Sequence, residues 1–435
     1  MTEADIIIIG AGPGGMDTAA AACAMGKNVV LIEKGSIGGT CLNRGCIPTK
    51  ALARTAQIAL DAKDAESFGI GIAEMKMDFR RVMERKNEVV TALREGAVMG
   101  LKGVRIVEGT AEFTAPHTVV AAGEEFTAPT IIIATGSAPS RLPIPGAEYA
   151  IDSDSVLEIT ELPHRVTIIG GGVIGIEFAS ILNALGSEVT VVEYCKEILP
   201  PFDKDIAKRL RMALSKRGVK ILTSAGVTEI KADGTVVYES KGKAGEVAGD
   251  MVIMAVGRRA VMPAGLDKAG IAAGKRGIEV NDQYETSAPG VYAIGDVNAR
   301  CMLAHAAVAQ GKKVLGEDVD MNVVPAAVFS VPECSMVGLT EEQCKEQGLD
   351  YKSVKVPFRG NGKAVAMGEA DGLLKLLTES ATGKILGVHI CGPHAADLIT
   401  EPALAMANGL TTEAIARTIH AHPTLGEVLA SAVTR

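Results

Sequence analysis

The chain has no tryptophan, and its aromatic residues amount to only 3% of 435 positions. A protein that reads sugars or nucleic-acid bases by stacking needs such rings, so both classes are disfavoured. Positive charge is not in excess either. The net charge of -8 leaves no basic footprint for nucleic acid or an anionic membrane. Long apolar runs are also missing, because the longest, residues 166–185, is broken by four glycines and Glu177. It reads as strand, turn and helix rather than a membrane span. No leader is expected before the first strand, since Asp5 passes at once into Ile6–Ile9. Eight cysteines spread over such a length argue against a framework of structural disulfides, and a cytoplasmic protein is expected.

Glycine is what the chain has in quantity, with 49 residues, and two segments use it in the same way. In the first, Ile6–Ile9 run into Gly10-Ala11-Gly12-Pro13-Gly14-Gly15, an alanine-rich helical stretch, and an apolar strand ending in Glu33. In the second, Val166–Ile169 lead into Gly170-Gly171-Gly172-Val173-Ile174-Gly175, a helix through Leu185, and a strand ending in Glu193. Strand, glycine turn, helix, strand and acid is the dinucleotide-binding fingerprint in its full context. One glycine makes the turn, the next admits a pyrophosphate to the backbone, and the third lets helix pack on strand. The helix N-terminus then faces the phosphates. Glu33 and Glu193 are each placed to accept ribose hydroxyls. Two such sites in one chain point to FAD in one and a nicotinamide cofactor in the other, although spacing does not say which is which.

Further glycines follow predicted strands. Thr135, Gly136 and Ser137 come after Ile131–Ile133 and suit a second cofactor loop, and Gly257 follows Met251–Met254 in the same way. Residues 290–297 read as a short strand ending in Gly295 and Asp296, where the acid can hold a polyol or be a solvated turn residue. Beyond about Asn322 the apolar runs 373–377 and 385–390 suit strands, and residues 401–408 suit a helix. The fold class expected is therefore α/β, with two Rossmann-like dinucleotide-binding domains and a C-terminal α+β domain. The expected boundaries are 1–147, 148–268, a central 269–322 and 323–435.

Cys41 and Cys46 are the one close cysteine pair, in Gly-Gly-Thr-Cys-Leu-Asn-Arg-Gly-Cys-Ile-Pro-Thr-Lys. A helix is expected to begin near Lys50 and run through Leu60, with Pro48 tolerated at its start. A thiol at a helix N-terminus with a cation nearby has its thiolate favoured, and two such thiols can cycle between disulfide and dithiol. Zinc is the weaker alternative, because the pair supplies only two ligands and the first histidine is His117. The other six cysteines read as packing residues. The only dense histidine cluster is His420-Ala421-His422-Pro423-Thr424-Leu425-Gly426-Glu427. Metal ligation, helix capping and a carboxylate-held base are all open to it. Beside a redox dithiol the base is favoured.

Taken together, these motifs resemble the dihydrolipoamide dehydrogenases of the pyridine nucleotide-disulfide oxidoreductase family, over essentially the whole chain. The resemblance implies FAD on the first unit, NAD on the second and a C-terminal dimerisation domain in a homodimer. It implies Cys46 as the thiol nearest the flavin, Cys41 as the one that exchanges with substrate, and His422 as a base supplied by the partner subunit and oriented by Glu427. FAD contacts are implied at Gly10, Gly12, Gly14, Gly15, Glu33, Lys34, Gly39, Thr40, Lys50, Ala111, Thr135, Gly136, Ser137 and Asp296. Met302, Leu303, Ala304 and His305 extend that lining. NAD contacts are implied at Gly170, Gly172, Val173, Ile174, Gly175, Glu177, Glu193 and Gly257, with Lys50 and Glu177 as a charged pair beside the flavin. The partner implied is a lipoyl-bearing protein of a 2-oxo acid dehydrogenase or glycine cleavage complex, with no metal, nucleic acid or membrane.

Met16 and Arg44 depart from the residues common in this family, and the chain is slightly short for it. Within the family, mercuric and glutathione-type reductases are rivals. Residues 431–435 lack a terminal cysteine pair, which weakens the first, and Glu193 weakens the NADP-linked second, tempered by Lys196. A mainly structural subunit of a dehydrogenase complex is the alternative outside enzymology.

Overall fold

The structure is a computed structural model and describes residues 2–434. Its backbone clusters into two compact units. One contains the chain up to Ala51, Arg80–Ser140 and Gly257–Met321, and the other contains Leu52–Phe79, Arg141–Val256 and the chain from Asn322 onward.

The first unit is built on a five-stranded parallel sheet. Ile6–Ile9 lie between Val29–Glu33 on one side and Thr130–Ile133 on the other, with Arg105–Glu108 and Val291–Ala293 at the two edges. Both neighbours of the first strand have continuous apolar runs, as a parallel sheet covered on both faces requires. Residues 6–9, 30–32 and 131–133 are all buried. The chain turns from one side of Ile6–Ile9 to the other, so the switch point opens at the carboxyl end of that strand, beside Gly10. The segment near 293, expected in a separate central region, contributes a strand to this sheet. A four-stranded sheet of Thr2–Glu3 with three hairpin strands between residues 112 and 127 completes the unit.

The second unit repeats the plan. Arg165–Ile169 lie between Glu188–Val192 and Met251–Met254 in a parallel sheet, with Lys220–Leu222 at its edge. A three-stranded antiparallel meander, residues 225–248, is inserted before the return strand. Beyond Asn322 the unit forms an antiparallel five-stranded sheet in the order Ala326–Val328, Glu333–Gly338, Ile385–Gly392, Leu373–Glu379, Tyr351–Pro357, packed with short helices. Its apolar core includes Val337, Phe358, Leu374, Val388, Ile390 and Leu429. Among the described residues no helix is long and apolar enough to cross a membrane.

One buried ion cluster joins parts of this second unit that are far apart in sequence. Lys375, 1% exposed on the strand Leu373–Glu379, places Nζ 2.8 Å from Asp203, 2.7 Å from Asp205 and 2.6 Å from Glu341. Burial alone would favour the neutral amine, but the surrounding carboxylates outweigh it and hold the ammonium above its usual range. Glu341 is pulled down to about 2, first by Lys345 and then by Lys375. That carboxylate therefore stabilises the fold fully above its unfolded value of ~4.3, and the contribution fades as pH falls from there toward 2. Lys375 contributes fully below its unfolded value of ~10.4, and the contribution is lost above it. Lys375→Met leaves the fully buried Asp203 without its cation, and we expect a loss of ~3–5 kcal/mol, read as a lower urea midpoint. Lys375→Met with Asp203→Leu should regain much of it. An unchanged midpoint in the single variant would remove the cluster from the stability account.

Candidate active site

The two glycine turns have the same geometry. Gly10 and Gly170 sit at φ +106° and +107°, where a side chain would be strained, and a Cβ on either would press on the backbone of Ala134 or Ala255. A Cβ on Gly15 would run into the Gly10 carbonyl, and one on Gly175 into the Gly170 carbonyl, so helix and strand can approach only through glycine. Gly12 and Gly172, the N-caps of the helices Pro13–Ala24 and Val173–Leu185, have open space where a Cβ would stand. An open cradle over a helix N-terminus is what a pyrophosphate needs. Val173 and Ile174 form the first turn of the second helix.

The acids close both turns alike. Glu33 accepts the Ala11 N–H at 2.6 Å and the Gly35 N–H at 2.7 Å. Glu193, which is buried, accepts the Gly171 N–H and the Cys195 N–H. These donors hold each carboxylate at the lip of its glycine turn. Lys34 is exposed just beyond the first of them.

Further contacts tighten the first unit around its switch point. Ser137 Oγ donates to Asp296 and accepts from Arg258 Nε at 2.7 Å, while Arg258 Nη2 donates to the Ser137 carbonyl at 2.8 Å. Arg258 was not among the expected site residues. It lies 121 positions from Ser137, and no local pattern marks it. Gly295 donates its N–H to the buried Gln310 at 2.7 Å, and Asn298 donates to the same oxygen. Thr135 Oγ1 donates to the Val261 carbonyl at 2.5 Å. Gly136 and Gly257 have positive φ and open space. Ala111 is buried in the core of the unit. Met302 and Leu303 precede the helix Ala304–Val314, which carries exposed His305 in its first turn. The open cradle, the anchored acid and Asp296 on one switch point fit a flavin dinucleotide, and the second turn fits a nicotinamide dinucleotide.

Cys41 and Cys46 are joined as a disulfide, with Cα atoms 4.6 Å apart. Gly39–Arg44 form one short helix, which Thr40 and Cys41 share, and Cys46 is the first residue of the helix Cys46–Asp64. This second helix begins four residues before the expected Lys50 and ends four after Leu60. Pro48 stands in its first turn, where the missing N–H costs no hydrogen bond, so it does not delay the start. Lys50 lies one turn in, partly exposed. Asn43, also absent from the expected site, donates to the Ile37 carbonyl at 3.0 Å and the Gly39 carbonyl at 2.9 Å, tying the cysteine loop to the glycines before it. An asparagine between two cysteines is a local signal for this, since such side chains bond nearby backbone.

The remaining cysteines correct one expectation. Cys334, Cys344 and Cys391 are buried, but Cys195 is exposed and Cys23 and Cys301 are only partly covered, so packing describes half of them. Glu177, buried in the helix Val173–Leu185, accepts the Phe329 N–H at 2.9 Å.

In the other unit, His422 Nδ1 lies 2.9 Å from Glu427 Oε1, and Glu427 Oε2 accepts the Thr424 N–H at 2.8 Å. The Thr424 N–H first, and then His422, hold the Glu427 carboxyl below its usual range. An ionised Glu427 accepts the hydrogen bond of Nδ1–H, which keeps the proton on that nitrogen and leaves Nε2 of an exposed ring as the proton acceptor. The peptide between His422 and Pro423 is cis. His420 is engaged differently, with Nε2 3.0 Å from Glu401 and Nδ1 3.0 Å from the Thr418 carbonyl. Among the described residues no three or more His, Cys, Asp or Glu come together as metal ligands. The disulfide belongs to one unit and the His422–Glu427 pair to the other.

Residues 4–311 match the pyridine nucleotide-disulphide oxidoreductase family, and residues 324–433 match the dimerisation domain of that family. The chain is 42% identical to the dihydrolipoyl dehydrogenase of Geobacillus stearothermophilus, an alignment covering 98% of this chain and 94% of that one. It is 41% identical to the dihydrolipoyl dehydrogenase of Thermus scotoductus, over 99% and 97% of the two chains. Among solved structures it is similar to the HOCl-induced flavoprotein disulfide reductase RclA from Escherichia coli, with a TM-score of 0.88, 31% identity and 99% of each chain covered.

Proposed function

Because the chain belongs to the pyridine nucleotide-disulphide oxidoreductases, we propose that it oxidises dihydrolipoamide to lipoamide at the Cys41–Cys46 disulfide, with NAD+ as the final electron acceptor. The observation that carries this reading is the disulfide itself, which spans a short helix and the N-terminus of a long one, just after the first strand, helix and strand unit.

His422, with Nδ1 held by Glu427, takes the proton of a dihydrolipoyl thiol at Nε2. The thiolate attacks Cys41 Sγ, and the Cys41–Cys46 bond breaks to leave Cys46 as a thiolate. That thiolate is favoured at the amino end of the helix Cys46–Asp64. The second lipoyl thiol then displaces Cys41 and closes lipoamide, so the protein holds the two electrons as a dithiol. Gly12, Glu33, Ser137 and Asp296 would hold FAD, which supplies a two-electron carrier between dithiol and nicotinamide. Gly172 and Glu193 would hold NAD. The protein works as a homodimer in the cytoplasm, with a lipoyl-bearing protein as its partner. His422 acts on the disulfide of the partner subunit.

The test is NADH formation by purified protein from dihydrolipoamide, with NADP+ in a parallel assay. We expect turnover with NAD+ and a preference of about tenfold or more in kcat/KM over NADP+, because the Glu193 carboxylate repels a 2'-phosphate. An absence of dihydrolipoamide turnover in flavin-loaded protein would sink the substrate assignment. An NADP+ preference would remove only the role given to Glu193.

A further inference from the structure

The C-terminal antiparallel sheet contains a second pair of apposed thiols. Glu333–Gly338 and Ile385–Gly392 are paired so that Cys334 stands directly opposite Cys391. Both side chains are fully buried. Directly opposed residues in an antiparallel pair have Cα atoms ~4.5–5.5 Å apart and side chains on one face, which is inside the ~4.4–6.8 Å that a disulfide spans. Cys391 is also near enough to act electrostatically on the Cys334 thiol. Neither cysteine is bonded to another, and neither takes part in the reaction described above.

The surroundings explain why the pair stays reduced. Burial first, and Cys391 second, push the Cys334 thiol well above its usual range. A thiol that remains protonated is a slow nucleophile, and buried between strands it is also shielded from reagents. Cys41 and Cys46 differ in being partly exposed, and Cys46 opens a long helix. The second pair therefore needs the sheet to open before it can react.

We propose that Cys334 and Cys391 form a latent cross-strand disulfide, closed by a small-molecule disulfide when the two strands open, which then staples the C-terminal sheet. In the first step one cysteine thiolate attacks the oxidant, its S–S bond breaks, and one reagent thiol leaves with a proton. In the second, the partner thiolate displaces the other reagent thiol and the Cys334–Cys391 bond forms. Two protein thiols are oxidised and one reagent disulfide is reduced to two thiols. The link would close a loop containing the strands Tyr351–Pro357 and Leu373–Glu379, restricting the unfolded chain.

The test treats flavin-loaded wild-type protein with hydroxyethyl disulfide across a urea series up to the unfolding midpoint. The sample is then alkylated without reduction and its peptides are mapped by mass spectrometry. We expect a peptide pair linking Cys334 to Cys391, and loss of these two from the six cysteines that are free in the untreated protein. The melting temperature should rise after oxidant removal. In Cys391→Ser, Cys334 should stop at the mixed disulfide and the rise should vanish. Recovery of both cysteines as alkylated thiols or as separate mixed disulfides throughout the series would overturn the link. A linked protein with an unchanged melting temperature would overturn the staple.

Discussion

Cys46→Ser is expected to bring NADH formation from dihydrolipoamide down to the level of a control without enzyme. A serine hydroxyl can neither be released as a stable leaving group by an attacking thiolate nor store a pair of electrons, so the first covalent step has no product. Cys41→Ser should have the same effect, because the disulfide needs both ends. No other cysteine can stand in, since Cys46 forms its bond with Cys41 and the other six are free and lie outside the loop of residues 41–46. Loss of folding would mimic loss of chemistry, so the control is reduction of a small quinone by NADH, which requires the cofactors but neither thiol. We expect both variants to retain it. Near-normal dihydrolipoamide turnover in either variant would remove the disulfide from the mechanism.

The parts of this site that sequence made legible are those whose partners are close along the chain. Cys41 and Cys46 are five residues apart, as are His422 and Glu427, and each glycine turn is written out within six positions. Glu33 and Glu193 are farther from their turns, yet the strand, turn, helix and strand plan fixes their place, and both bond back to the residue after the first glycine. Contacts across the fold had no such signal. Ser137 meets Asp296 from 159 positions away, and Lys375 meets Asp203 from 172. A lysine in an apolar run such as residues 373–377 looks like the solvent side of a strand until three carboxylates close around it. The early start of the helix at Cys46 was also hidden, because Pro48 reads as punctuation although a first turn accepts it.

Replacing His422 with Gln should lower dihydrolipoamide turnover by ~10²–10⁴-fold, the usual weight of a positioned proton acceptor. His420→Gln is the matched control, because its ring is committed to Glu401 and Thr418 rather than to Glu427, and it should lose far less. Glu427→Gln should fall between the two, since it removes the carboxylate that accepts the Nδ1–H hydrogen bond while leaving an amide near Thr424. Glu427 is held below the usual carboxylate range, so it stays ionised as pH falls through ~4.3, and acid loss of activity above that value belongs to other groups. The decisive arrangement combines the two largest losses in one dimer. If His422 serves the disulfide of the partner subunit, a dimer of one Cys46→Ser chain and one His422→Gln chain has one site with both defects and one with neither. Random pairing makes half of the dimers mixed, and one site in two of these is intact, so about one quarter of wild-type turnover should return. If the base serves its own chain, every site carries one defect and mixing restores nothing.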